Sequence, residues 1–267
     1  MAFSINSTSP LISGNSAKTS ATSFERLSSG SKINQASDDA AGLAISQRMT
    51  TQLDGVNAAI RNSGDAISSI QVADGALESL SKNIGRIQEL ALQSSNGVLN
   101  DTDRQAINAE AEQLIDESNK ILENTNFNGK SLLSSNADLN VQLESPGSTI
   151  TVKGKDLASE FESLGFADID LSTQSGANSA LNVLKDASEA TIERSSELGA
   201  SSNRIESSIE NLATSGINTA EARSRIADAD FAKETADLAA SQIKDQVQIS
   251  VQAQANSNRD GILKLLS

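Results

Sequence analysis

The chain has 267 residues, a formal net charge of −14, only 2% aromatic residues, and neither cysteine nor histidine. That composition excludes thiol and imidazole catalysis, disulfides and conventional zinc or copper sites, and its acidic balance argues against a nucleic acid or an anionic membrane as partner. Hydrophobic residues make up 37%, mostly Ala, Ile, Leu and Val, which suits long helices packed side by side through small side chains. No run of about 18 apolar residues occurs, so no membrane-spanning helix is expected. The N-terminus has no basic residue before Lys18 and no continuous apolar block, so no secretory signal peptide is expected either.

Residues 3 to 33 carry Phe3, Ile5, Leu11, Ile12, Phe24, Leu27 and Ile33 as their large apolar side chains. These are too few to offset the entropy of ordering about thirty residues alone. Pro10 is tolerated in a first helical turn, so a helix is expected to begin near Ser9-Pro10. It is expected to stop at Gly30, a residue suited to the left-handed turn past a helix end. A second helix is predicted from near Ser37, with Asp38 and Asp39 in its first turn, where carboxylates meet free N–H groups and the positive end of the helix dipole.

An apolar row then runs Ile60, Ile67, Ile70, Ala73, Leu77, Leu80, Ile84, Ile87 and Ala91 at nearly heptad spacing, which predicts one long packed helix. A second row passes through Ile107, Ala111, Leu114, Ser118 and Ile121, with Asp101 or Thr102 expected as its N-cap. From residue 126 to 178 the character changes. "NFNGKSLL" holds a turn signal, Leu139–Leu143 and Thr149–Val152 alternate about Pro146-Gly147 as a β-hairpin, and "DLASEFESLGF" forms a short helix. A third helical row includes Leu181, Leu184, Ser188, Thr191, Ser195, Leu198, Ser202, Ile205, Ile209 and Leu212. The fold expected is mainly α: a long antiparallel helical bundle of coiled-coil type, both termini together, with a small β-hairpin excursion in the middle. The C-terminal segment from Ile226 has more apolar groups, yet the two ends together still look too thinly apolar to order in a single copy. Ordering and association with further copies are expected to be one event.

Four motifs then identify a family. "ERLSSGSKINQASDDAAGLAIS" from Glu25, "NTNFNGKSLL" from Asn124, "LGASSNRIESSIENL" from Leu198 and "ARSRIADADFAKETADLAASQI" from Ala222 resemble the terminal motifs of bacterial flagellin. The resemblance covers nearly the whole chain except roughly residues 136 to 178. It implies a structural, non-enzymatic subunit that polymerises into the hollow helical filament used for swimming, secreted to the cell exterior, with no cofactor. It further implies that residues 1–37 and 225–267 form the inner filament core, that 38–135 and 179–224 form an outer helical bundle, and that 136–178 is a short variable hairpin region.

In this reading Phe3, Ile5, Phe24, Leu27, Phe231, Leu238, Ile243, Leu263 and Leu266 make the innermost contacts, and Ser28, Gly30, Lys32, Asp38 and Asp39 form a joint between layers. The partners implied are many copies of the chain itself, the flagellar export apparatus, a secretion chaperone on the C-terminal segment, and filament cap and junction proteins. "GRIQELALQSSN" from Gly85 resembles the surface contacted by a vertebrate Toll-like receptor, with Arg86 and Leu90 at contact positions and Glu110 on the next helix.

Other readings explain less. Gly129-Lys130-Ser131 ends like a phosphate-binding loop, but Asn124 stands where that pattern demands glycine. Asp101 with Asp103, and Asp228 with Asp230, lack the glycine and distal glutamate of a calcium loop and suit helix starts better. A coiled-coil signalling hairpin would share the Ala- and Ser-rich heptads but predicts a continuous helical tip, where this chain alternates as strands. A hook–filament junction relative of flagellin, also built on two helical ends, is the other alternative. Arg26, Arg223 and Arg225 are expected to pair with acidic groups of neighbouring copies.

Overall fold

The computed structural model describes residues 9–144 and 148–266, with side-chain surroundings given for 18–143 and 149–258. Phe3, Ile5 and the Pro146-Gly147 turn lie outside the described residues, as do the side chains of Leu263 and Leu266. The chain forms two compact units, one made of residues up to Leu53 and from Ile217 onward, the other of Asp54–Gly216. Two long helices, α2 (Ala40–Ser94) and α5 (Gln174–Ala227), each run from one unit into the other.

In the Asp54–Gly216 unit the heptad row becomes the core. Ile70, Ala73, Leu77, Leu80, Ile84, Ile87 and Ala91 of α2 are buried with Leu184, Ala187, Leu198 and Ile205 of α5. Serines at seam positions of α5 allow close approach and still find partners: the Ser195 hydroxyl donates to Asp74 at 2.8 Å. Between them lies α3 (Asp101–Asn124), capped by Asn100 rather than by Asp101 or Thr102. The Asn100 side chain accepts from the Asp103 N–H and the Asp103 carboxylate accepts from the Asn100 N–H, a reciprocal capping box that satisfies two free donors at once. The buried row of α3 also differs from expectation. Ile115 and Leu122 are buried where Leu114 and Ile121 are half-buried, because α3 also packs against the segment that follows the strands, which widens and rotates its covered face.

That segment is more than an excursion. Strands β1 (Asn126–Phe127) and β2 (Lys130–Ser131) flank Asn128-Gly129, whose φ values of 51° and 75° make the two-residue turn that Asn-Gly favours. β3 (Leu139–Glu144) and β4 (Ser148–Val152) pair antiparallel, with Val141 opposite Ile150 and Leu139 opposite Val152. Val141, Leu143, Ile150 and Val152 point into the common core, as alternation requires. The short helix α4 (Leu157–Leu164) is capped by Asp156 and ends at the left-handed Gly165, which turns Phe166 back to within 5.0 Å of Phe161, centroid to centroid. Phe161 and Phe166 are both fully buried and join the common core.

The other unit pairs α1 (Ser9–Ser29) with α6 (Phe231–Leu266) along their lengths. Pro10 falls in the first turn of α1, where its fixed φ is helical and its missing N–H is not needed.

Candidate polymerisation surface and joint

Two helix breaks are stitched together in the terminal unit. Gly30, at φ +69°, ends α1, and the next residues pair with the break between α5 and α6. Ser31 bridges Asp228 in antiparallel fashion. The Lys32 N–H donates to the Ala227 carbonyl at 2.6 Å, and the Ala229 N–H donates to the Gly30 carbonyl at 3.0 Å. The Ser31 hydroxyl reaches the carbonyls of both Ile33 and Ala227. Ser28 and the Lys32 side chain stay exposed.

The two aspartates differ from their expected placement in a first helical turn. α2 begins at Ala40. Asp39 stands before it and accepts from the Gly42 N–H at 2.8 Å, as an N-cap does. Asp38 lies outside the helix and accepts from the N–H groups of Asn34 and Gln35 at 3.1 and 3.0 Å, closing the preceding turn. Gly42 lies close under two side-chain ends: a Cβ there would stand 2.7 Å from Ile33 Cδ1 and 2.5 Å from an Asp39 carboxylate oxygen, so both side chains would have to shift. Buried Ile33 thereby locks the turn onto α2.

The backbone donors of Gln35, then Asn34, hold the Asp38 carboxyl below its ordinary pKa, with Arg26 adding a smaller pull. Because its pKa is lowered on folding, Asp38 stabilises the turn above the ordinary carboxylate range, and that contribution is lost as pH falls through the lowered value. Acid titration followed by amide exchange at Asn34 and Gln35 should therefore show these N–H groups deprotected first in this turn. Asp38→Asn should remove that acid dependence while keeping the turn's acceptor oxygen.

The seam between α1 and α6 is polar. Ser23, Glu234 and Ser241 are buried, the Ser20 and Ser241 hydroxyls bond to each other, and Arg26 pairs with Glu234 at 3.3 Å. The large apolar side chains lie elsewhere. Phe24 is 67% exposed, Ile243 64% and Phe231 56%, and Val247, Ile249 and Val251 are also exposed; Leu27 and Leu238 are half-buried. At 100° per residue, Ile243, Val247 and Val251 form one stripe on the side of α6 away from Glu234 and Ser241. Among the described side chains, the helix pair turns its buried hydroxyls and its ion pair inward and most of its large apolar groups outward, with Leu27 and Leu238 the half-buried exceptions.

Arg26 and Arg225 each have an acidic partner within the chain, Glu234 and Glu221. Asp230 accepts from the N–H groups of Ala232 and Lys233 and so caps α6. Among the described residues no acidic cluster has the geometry to hold a metal ion.

In the Asp54–Gly216 unit, the Arg86 guanidinium donates to Glu110 at 3.0 and 2.8 Å and to Glu89 at 3.0 Å. Leu90 is 2% exposed and belongs to the core. Of the three expected receptor contacts, Arg86 and Glu110 are therefore the ones on the surface.

Comparison with known proteins decides the family. The description "Bacterial flagellin N-terminal helical region" matches residues 4–138, and "Bacterial flagellin C-terminal helical region" matches residues 181–266. The chain belongs to the bacterial flagellin family. It is 39% identical to a flagellin of Halalkalibacterium halodurans, over 91% of this chain and 90% of that one. It is 34% identical to the flagellar filament 30.7 kDa core protein of Treponema maltophilum, covering 91% of each. Among solved structures, the crystal structure of Bacillus cereus flagellin is 32% identical with a TM-score of 0.52, covering 57% of this chain and 88% of that one. This flagellin thus spans nearly the full length of its relatives, and the polar seam of α1 and α6 lies within their two shared helical regions.

Periodicity could not find Ser20, Ser23, Ser241 and Glu234, because a buried hydroxyl and a solvated one look alike in sequence. The bridge that pairs Ser31 with Asp228 was equally hidden, since it joins two motifs almost two hundred positions apart.

Proposed function

We propose that the outward apolar face of α1 and α6 is the surface on which copies of this flagellin pack in the filament. The chain is a structural subunit of the bacterial flagellar filament, the extracellular helical polymer that drives swimming. The observation that carries the proposal is the inversion of the terminal helix pair. Exposed Phe24, Phe231, Ile243, Val247 and Val251 on a chain of charge −14 are apolar area that gains stability when copies cover it, and a head-to-tail contact of this area with a different patch of the next copy repeats into an open polymer.

In this reading residues 1–37 and 225–267 make the inner core, with Phe3, Ile5, Leu27, Leu238, Leu263 and Leu266 completing its contacts. Residues 38–135 and 179–224 make the outer bundle that carries the 136–178 hairpin region. Ser28, Gly30, Lys32, Asp38 and Asp39 are the joint between these layers, and the backbone ties between Gly30–Lys32 and Ala227–Ala229 support that role. Export through the flagellar apparatus, with a chaperone on the C-terminal segment, follows from the same reading, as do cap and junction proteins at the filament ends. A Toll-like receptor would meet Arg86 and Glu110.

Seeded growth tests the proposal. Full-length chain added to filament fragments should elongate them under electron microscopy and gain helical circular dichroism as it does. A chain lacking residues 1–29 should add nothing to the same seeds, and normal growth by that truncation would overturn the assignment of α1.

A further inference from the structure

We infer that Asn96 is a site of spontaneous backbone-assisted deamidation, assembled by the bend between α2 and α3. The sequence holds two Asn-Gly pairs, Asn96-Gly97 and Asn128-Gly129, and glycine after asparagine leaves the following peptide nitrogen sterically open. The reaction needs three things: an accessible nucleophilic N–H, an approachable side-chain carbonyl carbon, and stabilisation of the charge that develops on its oxygen. At Asn96 the fold supplies the free N–H and the donor to the oxygen, on a side chain that is exposed to solvent.

Asn96 and Gly97 are both exposed. The Gly97 N–H has no hydrogen-bond partner among the described residues, so no bond must break before it loses its proton to hydroxide. The Val98 N–H donates to Asn96 Oδ1 at 3.2 Å, which polarises the amide and places a donor on the atom that becomes the oxyanion. The contacts that ring closure must loosen here are single turn bonds rather than paired strands: the Asn96 N–H donates to the Gln93 carbonyl, and the Asn96 carbonyl accepts from Leu99 and from Arg104 Nη2 at 3.1 Å.

Attack of the Gly97 nitrogen on Asn96 Cγ forms one C–N bond. Collapse of the tetrahedral intermediate breaks the Cγ–Nδ2 bond and releases ammonia, leaving a five-membered cyclic imide. Water then opens the imide at either carbonyl, giving aspartate or isoaspartate. No oxidant or reductant takes part.

Asn128 has the same dipeptide and lacks the apparatus. Its side chain has no hydrogen bond among the described residues, and its backbone sits at φ 51° in a turn clamped by the pairs Phe127–Lys130 and Asn126–Ser131. Closing the imide there requires rotating a peptide that the two strands hold. In a filament subunit that persists outside the cell, conversion at Asn96 adds a negative charge near the C-terminal end of α2, where a helix disfavours it, and isoaspartate lengthens the main chain beside the carbonyl that Arg104 holds.

The test is incubation of the full-length chain in warm, mildly alkaline buffer, with peptide mapping by mass spectrometry and enzymatic labelling of isoaspartate. Asn96 should convert at least about fivefold faster than Asn128 in the folded chain, consistent with one donor on the oxyanion, and the two sites should converge in concentrated urea. Gly97→Ala should slow the first site by about tenfold, roughly 1.4 kcal/mol of barrier, without unfolding the chain. A Cβ there meets only Gln174 Nε2, at an ordinary 3.7 Å. Equal rates in the folded chain, faster conversion at Asn128, or a difference that survives in urea would each overturn the inference.

Discussion

Replacing Ile243 with aspartate is expected to abolish elongation of filament seeds while leaving the dilute chain's circular dichroism and melting unchanged. Ile243 is 64% exposed in the isolated chain, so its removal takes nothing from the chain's own packing. On the packing proposed above, every copy in the polymer would bury it. Covering one such side chain is worth about 1.5–3 kcal/mol, so Ile243→Ala should raise the concentration needed for growth by about ten- to a hundredfold. Aspartate adds the cost of an unpaired buried carboxylate and should stop growth at any practical concentration. Ile243→Val, which keeps most of the apolar area, should grow nearly as the parent does. Sedimentation of seeded samples reads all three. Elongation by the aspartate variant at the parental concentration would place α6 off the contact surface.

The fold was legible wherever burial and period coincide. The row from Ile70 to Ala91 is buried as spaced, and the strands about residues 139–152 lie within a residue or so of where alternation puts them, because a two-residue period facing one core admits one register. Legibility failed where a local hydrogen bond decided between neighbours. Asn100, Asp101 and Thr102 are all competent caps, and Asn100 prevails because Asp103 stands three residues beyond it to complete the box. Asp38 and Asp39 likewise both suit a helix start. The structure divides the two roles: Asp39 caps α2 at the Gly42 N–H, while Asp38 is taken up by the N–H groups of Asn34 and Gln35 in the turn before it.

The candidate surface was half legible. Phe24, Phe231 and Ile243 were identifiable as apolar groups with nothing nearby in sequence to bury them, and they are exposed. The other half lay in what α1 and α6 do bury. An apolar seam would satisfy the two helices and leave little reason to associate further. A seam of serines around one Arg26–Glu234 pair contributes little hydrophobic free energy, since the exchange of water for protein hydrogen bonds nets only about 0.5–1.5 kcal/mol each. Such a seam fixes orientation while leaving the drive for burial to other copies. Poor apolar content in the terminal segments and a polar seam between them are thus one property, seen first as composition and then as geometry.

Arg104→Ala is expected to lower the stability of the full chain by about 1–3 kcal/mol, the cost of leaving the carbonyl of buried Ser94 without its donor. Arg104 is buried and its guanidinium reaches the backbone carbonyls of Ser94, Asn96 and Leu99, so one planar fork collects the acceptors at the end of α2 and the bend into α3. Among the described residues it has no carboxylate partner; its charge is balanced by carbonyl dipoles and by the negative end of α2. Arg104→Lys keeps the charge but offers a compact ammonium in place of the fork, and should recover about half of the loss by the same accounting. Urea unfolding of the two variants separates the contributions, with an unchanged slope and a lowered midpoint for both. A midpoint for Arg104→Ala within error of the parent would mean that the bend holds without its cation, and that the capping box at Asn100 is what sets the angle between α2 and α3.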